Sequence, residues 1–188
     1  MPTSDPRVIE AGCGEIINLR PKSVLDIGVG YGKWGALARE YTDIWQSRFY
    51  KDEWETIVEG IEIHEKYRNP MWGVYDYIYI GDALEKIAHL RSSEQNRHFD
   101  LSIMMDVLEH FEKEAGKRLI TEVLKISSYF LVSWCNSEQK DVRDNKHEDH
   151  VSTWDVSDFK NMGILEKVVK NEKHFLGDWG IVLLKGKK

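Results

Sequence analysis

The chain has 188 residues, 41% hydrophobic and 31% charged, enough to bury one domain core and too short for two large independent ones. That balance excludes a disordered or fibrous class, and a formal net charge of -6 disfavours a nucleic-acid partner unless a local basic face offsets it. No stretch reaches the ~18 apolar residues of a membrane span, and Met1 to Glu10 lacks a basic tip followed by an apolar run.

Asp5 and Pro6 read as a helix cap and first-turn proline, and Ile9, Cys13, Ile16 and Ile17 share one helical face until Pro21. Ser23 to Ile27 predicts a strand closed by glycines, and Lys33 to Glu40 returns to good helix formers. Thr56 to Ile63 and Tyr75 to Ile80 are β-branched and aromatic strands, followed by a helix over Ala83 to Leu90. Phe99 to Met105 predicts a fourth strand, Glu112 to Lys125 a helix, and Ser128 to Trp134 a fifth strand. Ser152 with Asp155 reads as a capping box for a helix through Met162. Glu166 to Phe175 and Trp179 to Lys185 then form a hairpin around Leu176, Gly177 and Asp178.

The expected architecture is a doubly wound α/β fold, one domain over residues 1–188, with a seven-stranded, mostly parallel sheet and an antiparallel C-terminal hairpin strand at its edge. The least regular stretches, 41–55, 65–74 and 136–150, follow the carboxyl ends of strands, where open α/β sheets bind ligands. The 41–55 stretch is an aromatic-rich insertion, read as a satellite packing cluster or part of a substrate lid. The other two are lid candidates. Trp72 would cover a ligand or simply pack behind a proline turn.

The sharpest motif is V-L-D-I-G-V-G-Y-G, with Asp26, Gly28, Gly30 and Gly32 between a strand and a helix. Glycine is needed where the backbone turns sharply and approaches a ligand. A nicotinamide site would want glycine where Lys33 stands, and its pyrophosphate would be repelled by a neighbouring carboxylate. A phosphate-binding loop of the triphosphatase kind is excluded, since Ile27 replaces its first glycine and no Ser or Thr follows Lys33. An acid at this turn suits a ligand bearing an ammonium group.

On these residues, Asp26 to Gly32 resembles the first motif of the class I S-adenosylmethionine-dependent methyltransferases, and the strand order is similar to theirs. The resemblance implies S-adenosyl-L-methionine as cofactor, held by Asp26, Gly28, Gly30, Tyr31 and Gly32 at the turn. It implies Glu62 with Ile63 at the ribose, Asp82 with Ala83 at the adenine, and Asp106 with Val107 beside the methionine part and the transferred methyl. One departure is the 34-residue distance from Gly28 to Glu62, longer than the ~20 of dinucleotide sites, with the excess in the 41–55 insertion.

Methyl transfer is an in-line displacement, so alignment in a dry pocket does most of the work. An oxygen acceptor also needs a base, and His150, or failing that His147, is the catalytic candidate, in a segment resembling the post-fifth-strand region of bacterial members. His110, in D-V-L-E-H-F, caps or orients its own loop in this reading. No metal is expected, because His147, Asp149 and His150 lack further ligands at fixed spacing. Cys13 and Cys135 show no zinc or disulfide spacing, which fits a reducing cytoplasm. The acceptor is expected to be a small molecule, a sugar or a peptide side chain, with no membrane partner. The alternatives are a non-catalytic subunit of the same fold and, further off, a nicotinamide-dependent oxidoreductase.

Overall fold

The computed structural model describes residues 3–92, 96–140, 145–173 and 177–186. The apolar and β-branched runs become strands: β1 Ser23–Ile27, β2 Ile57–Glu62, β3 Tyr77–Ile80, β4 Phe99–Met104, β5 Ser127–Cys135, β6 Leu165–Glu172 and β7 Trp179–Lys185. They form one sheet in the order β3-β2-β1-β4-β5-β7-β6. The first five run parallel, and β7 is antiparallel to both β5 and β6.

The antiparallel C-terminal hairpin expected from the sequence thus closes one edge of the sheet. β7 lies one place in, and β6 forms the edge. The reason is composition: six of seven β7 residues are buried, whereas β6 is charged and mostly exposed. A strand apolar on both faces is stable only between neighbours, and charge on an edge strand discourages further pairing.

Helices cover both faces. α1 Ile9–Leu19 and α2 Lys33–Thr42 pack on one, with Val24, Trp34, Ala38 and Leu101 in their core. α3 Ala83–Ser92, α4 Lys113–Ile126 and α5 Val156–Asn161 cover the other, around Leu25, Ile27, Ile87 and Leu119. Asp5 caps a 3-10 turn at Pro6–Val8 that leads into α1, its carboxylate accepting the Arg7 amide. α5 is capped by Asp155 with Asp158 instead of Ser152 with Asp155, because the Ser152 hydroxyl is taken by the Trp154 indole at 2.8 Å. Of the expected hairpin, Phe175 and Leu176 lie outside the described residues.

The 41–55 insertion folds around Asp43, which is fully buried. Its carboxylate receives Arg39 at 2.7 Å, Arg48 at 2.8 Å and the Glu55 amide at 3.0 Å. The Arg39 guanidinium lies 4.3 Å above Trp54, and Tyr41 meets Trp45 edge-on at 4.8 Å. Trp45, Phe49 and Tyr50 are more than half exposed. None of these residues lines the cleft described below.

Candidate functional site

β1 delivers the chain into a turn that only glycine can follow. Gly28, Gly30 and Gly32 have φ of 84°, 51° and 89°, a region that charges other L-residues roughly 1–2 kcal/mol. A side chain at Gly28 would also meet Val107 Cγ2 at 2.5 Å. The turn is tied down from two sides. Glu62, at the end of β2, accepts the Gly30 amide at 2.8 Å and the His64 amide at 2.8 Å. The Trp72 indole donates to the Gly30 carbonyl at 2.8 Å, so Trp72 packs behind the turn and does not cover the cleft.

The turn forms one wall of a cleft of about 350 Å³ at the carboxyl ends of the parallel strands, within the roughly 300–1,000 Å³ of cofactor and small-molecule sites. Of the residues singled out from sequence, Gly28, Gly30, Tyr31, Glu62, Ile63, Asp82, Ala83, Asp106, Val107 and His147 line it. Gly32 shapes the turn without lining it, and two further residues are displaced from the cleft.

Asp26 lies one layer beneath. Strand alternation puts it on the face of Val24, toward α2, while Leu25 and Ile27 face the other core. There the Tyr75 hydroxyl donates to Asp26 Oδ2 at 2.5 Å and accepts the Gly35 amide at 3.0 Å, and Oδ1 has no partner among the described residues. Burial pushes its pKa up to about 7, helped by the Glu62 carboxylate and opposed by Tyr75. The direct ammonium contact expected of Asp26 is therefore not what this geometry offers.

The acids that do face the cleft are held in different ways. Asp82 accepts the Glu85 amide at the start of α3, leaving it both a helix cap and a cleft residue. Asp106 has a positive φ of 54°, tolerated by aspartate more than by most residues. It accepts the Ser133 hydroxyl at 2.5 Å and the Asp5 amide at 2.7 Å, and burial raises its pKa. Burial likewise raises Glu62 despite its two amide donors.

His150, the first candidate base, does not line this cleft. Its Nδ1 lies 2.6 Å from the Ser137 carbonyl, and its ring stands edge-on behind that of His110 at 4.9 Å. Its amide donates to the Gln139 carbonyl, and the residue lines a neighbouring pocket beside Ser137 and Val151. His110 and the exposed His147 are the histidines of the loops after β4 and β5 that line the cleft.

The two lid candidates do meet there. The Tyr67 hydroxyl donates to Glu148 at 2.7 Å and accepts from Asn145 at 2.8 Å, joining segments 81 positions apart. The sequence reading missed this clasp, and also the N-terminal segment, where Lys33 Nζ donates to the Ser4 carbonyl at 2.6 Å. Thr3, Ser4 and Lys33 all line the cleft. No local motif marks such contacts; the basic Lys33 in the first helical turn, where cations are unfavourable, was the one available signal. Among the described residues no group of His, Cys, Asp and Glu could hold a metal ion, and no helix is long and apolar enough to cross a membrane.

The sequence matches no protein-family model and no curated protein. Solved structures match over nearly the whole chain. The N-terminal domain of EvdMO1, crystallised with SAH and D-fucose, is 12% identical with a TM-score of 0.65, covering 95% of this chain and 82% of that one. The magnesium protoporphyrin IX methyltransferase ChlM from Synechocystis PCC 6803, with bound SAH, is 14% identical with a TM-score of 0.60, covering 96% and 83%. The N-methyltransferase NodS from Bradyrhizobium japonicum WM9 is 12% identical with a TM-score of 0.56, covering 98% and 99%. The chain thus has the seven-stranded, Rossmann-like fold of the class I methyltransferases.

Proposed function

We propose that the chain is an S-adenosylmethionine-dependent methyltransferase acting on a small-molecule, sugar-like or peptide side-chain acceptor, with residues 1–188 forming one catalytic domain. The observation that carries this reading is the convergence of the glycine turn, Glu62, Asp82 and Asp106 on one cleft. That cleft bears five carboxylates, Glu62, Asp82, Asp106, Glu112 and Glu148, against two lysines, Lys33 and Lys146. Such a balance repels a pyrophosphate and suits a cationic nucleoside.

The residues present fit that cofactor. Three positive-φ glycines let the backbone approach a ligand, and Glu62 keeps lone pairs beyond those used by two amides, so it can accept ribose hydroxyls. Asp82 and Ala83 would meet the adenine, and Asp106 and Val107 would border the methionine part. Asp26 would act from below, holding β1 to α2 through Tyr75. When bound, the cofactor supplies an electrophilic methyl on a sulfonium. The chain's own part is to align the acceptor, exclude water and remove a proton where the acceptor carries one.

The non-catalytic alternative anticipated a cleft filled by the 41–55 aromatics, and those rings lie elsewhere. A thermal-shift comparison tests the reading. S-adenosylhomocysteine at a large excess should raise the melting temperature by several degrees, through mass action, and NADH should not. Stabilisation by NADH alone would reject it.

A further inference from the structure

We propose that His110 is the general base of the transfer and that the acceptor group is a hydroxyl, an inference that rests on the methyltransferase reading above. His110 lines the cleft beside Asp106, Val107 and Phe111, the stretch assigned to the methyl end. Its Nδ1 lies 3.1 Å from the Asp149 carbonyl. A carbonyl oxygen only accepts, so Nδ1 carries the proton of the neutral ring and Nε2 is left with a bare lone pair. Nε2 makes no hydrogen bond among the described residues.

The ring is also fixed in place. His150 stands edge-on behind it at 4.9 Å, its own Nδ1 held by the Ser137 carbonyl at 2.6 Å. The two rings are thus in contact, and the Asp149 and Ser137 carbonyls each hold one nitrogen of one ring. The charged neighbours oppose each other: the nearby Glu148 carboxylate favours the protonated ring and a protonated His150 disfavours it, while burial sets the direction by pushing the His110 pKa down. A neutral base is therefore available near neutral pH. His147 is exposed and has no ring hydrogen bond among the described residues, so nothing orients it.

This base suits a hydroxyl and not an amine. An alkylammonium, near pKa 10.4, sheds its proton to water before it can attack and then needs no base during the transfer. A neutral hydroxyl attacks with a lone pair it already has, and its proton becomes acidic only as the new bond forms. In the balanced step the acceptor oxygen bonds to the methyl carbon as the carbon–sulfur bond breaks, with that bond's electron pair staying on sulfur. The O–H proton passes to His110 Nε2, giving an imidazolium that later releases it to water.

The test has separate readouts for the two readings. Calorimetry with S-adenosylhomocysteine decides the cofactor alone, and His110→Gln should bind it within about threefold of the parent while keeping its fold. Long-range ¹H–¹⁵N NMR of histidine-labelled protein, with His110→Gln for assignment, should show Nδ1 protonated and Nε2 bare. A ring protonated at Nε2 overturns the base role whatever the cofactor result. With a panel of alcohols, phenols, amines and thiols assayed for S-adenosylhomocysteine release, turnover should appear with a hydroxyl compound. His110→Gln should then lower kcat by roughly 10²–10⁴-fold, the usual range for a general base, and abolish the acid limb of the pH profile. Turnover confined to amines or thiols, or a pH profile unchanged by the substitution, overturns the proposal.

Discussion

The Tyr75 hydroxyl donates to Asp26 at 2.5 Å while accepting the Gly35 amide at 3.0 Å, so one phenol links the first strand to the first turn of α2. Both partners are buried. Tyr75→Phe removes the donor from a carboxyl whose other oxygen has no partner among the described residues. The expected loss is about 1–3 kcal/mol of stability, read as a lower urea midpoint. Affinity for S-adenosylhomocysteine should weaken with it, because the displaced element carries the glycine turn.

Asp26 also sets a pH dependence. Its pKa is about 7 in the folded chain against an ordinary 3.8, so between those values the folded state holds a proton that the unfolded chain has released. Stability therefore falls as pH rises through that window, the reverse of a salt-bridged aspartate. Burial raises Glu62, Asp106 and Glu109 in the same sense. Asp5 and Asp43 are lowered and act below pH 3.8, while the lowered His110 opposes the raised acids, adding stability as pH rises toward its ordinary 6.5. The urea midpoint should be higher at pH 5.5 than at pH 8, and Asp26→Asn should flatten that difference. A midpoint that rises toward pH 8 would count against the buried, proton-holding Asp26.

Gly28→Ala combines a positive φ of 84° with a 2.5 Å approach to Val107 Cγ2. The backbone cost alone is about 1–2 kcal/mol, and relief requires moving the turn or the Val107 loop. Calorimetry should show S-adenosylhomocysteine affinity lower by at least ~10-fold, the equivalent of about 1.4 kcal/mol. Unaltered affinity would mean that the turn does not contact the cofactor.

The 41–55 insertion separates stability from binding. Asp43→Ala removes the buried carboxylate shared by Arg39, Arg48 and the Glu55 amide and leaves Arg39, 2% exposed, with Asp76 at 3.1 Å as its remaining ion pair, and removing one partner of a buried pair costs about 3–5 kcal/mol. Urea unfolding should show that loss, while cofactor affinity below the unfolding transition stays within about twofold because the insertion lies outside the cleft. Trp45→Ala, at an exposed ring, should stay within about 0.5 kcal/mol in stability.

The alternation of apolar runs and helices made most of the sheet readable, since a glycine turn after Ile27 and acids at Glu62, Asp82 and Asp106 each close a strand. The place of β7 was readable too, had its unbroken W-G-I-V-L-L run been weighed against the charged β6. Strand period alone puts Asp26 on Val24's face, so its distance from the cleft was implicit in S-V-L-D-I. The partnerships that fix the site were not readable. Tyr75 with Asp26, Tyr67 with Glu148 and Ser4 with Lys33 are 49, 81 and 29 positions apart, and only the tertiary fold brings them together. The same holds for the placement of His110 and His150, which depends on carbonyls of Asp149 and Ser137 that no pattern marks.

The central claim is that this cleft holds an amino-acid-bearing nucleoside and not a dinucleotide, and isothermal calorimetry tests it directly. S-adenosylmethionine and S-adenosylhomocysteine should each bind once per chain, and NADH should give no heat and fail to compete. An absence of binding by both, or displacement of either by NADH, would contradict the account.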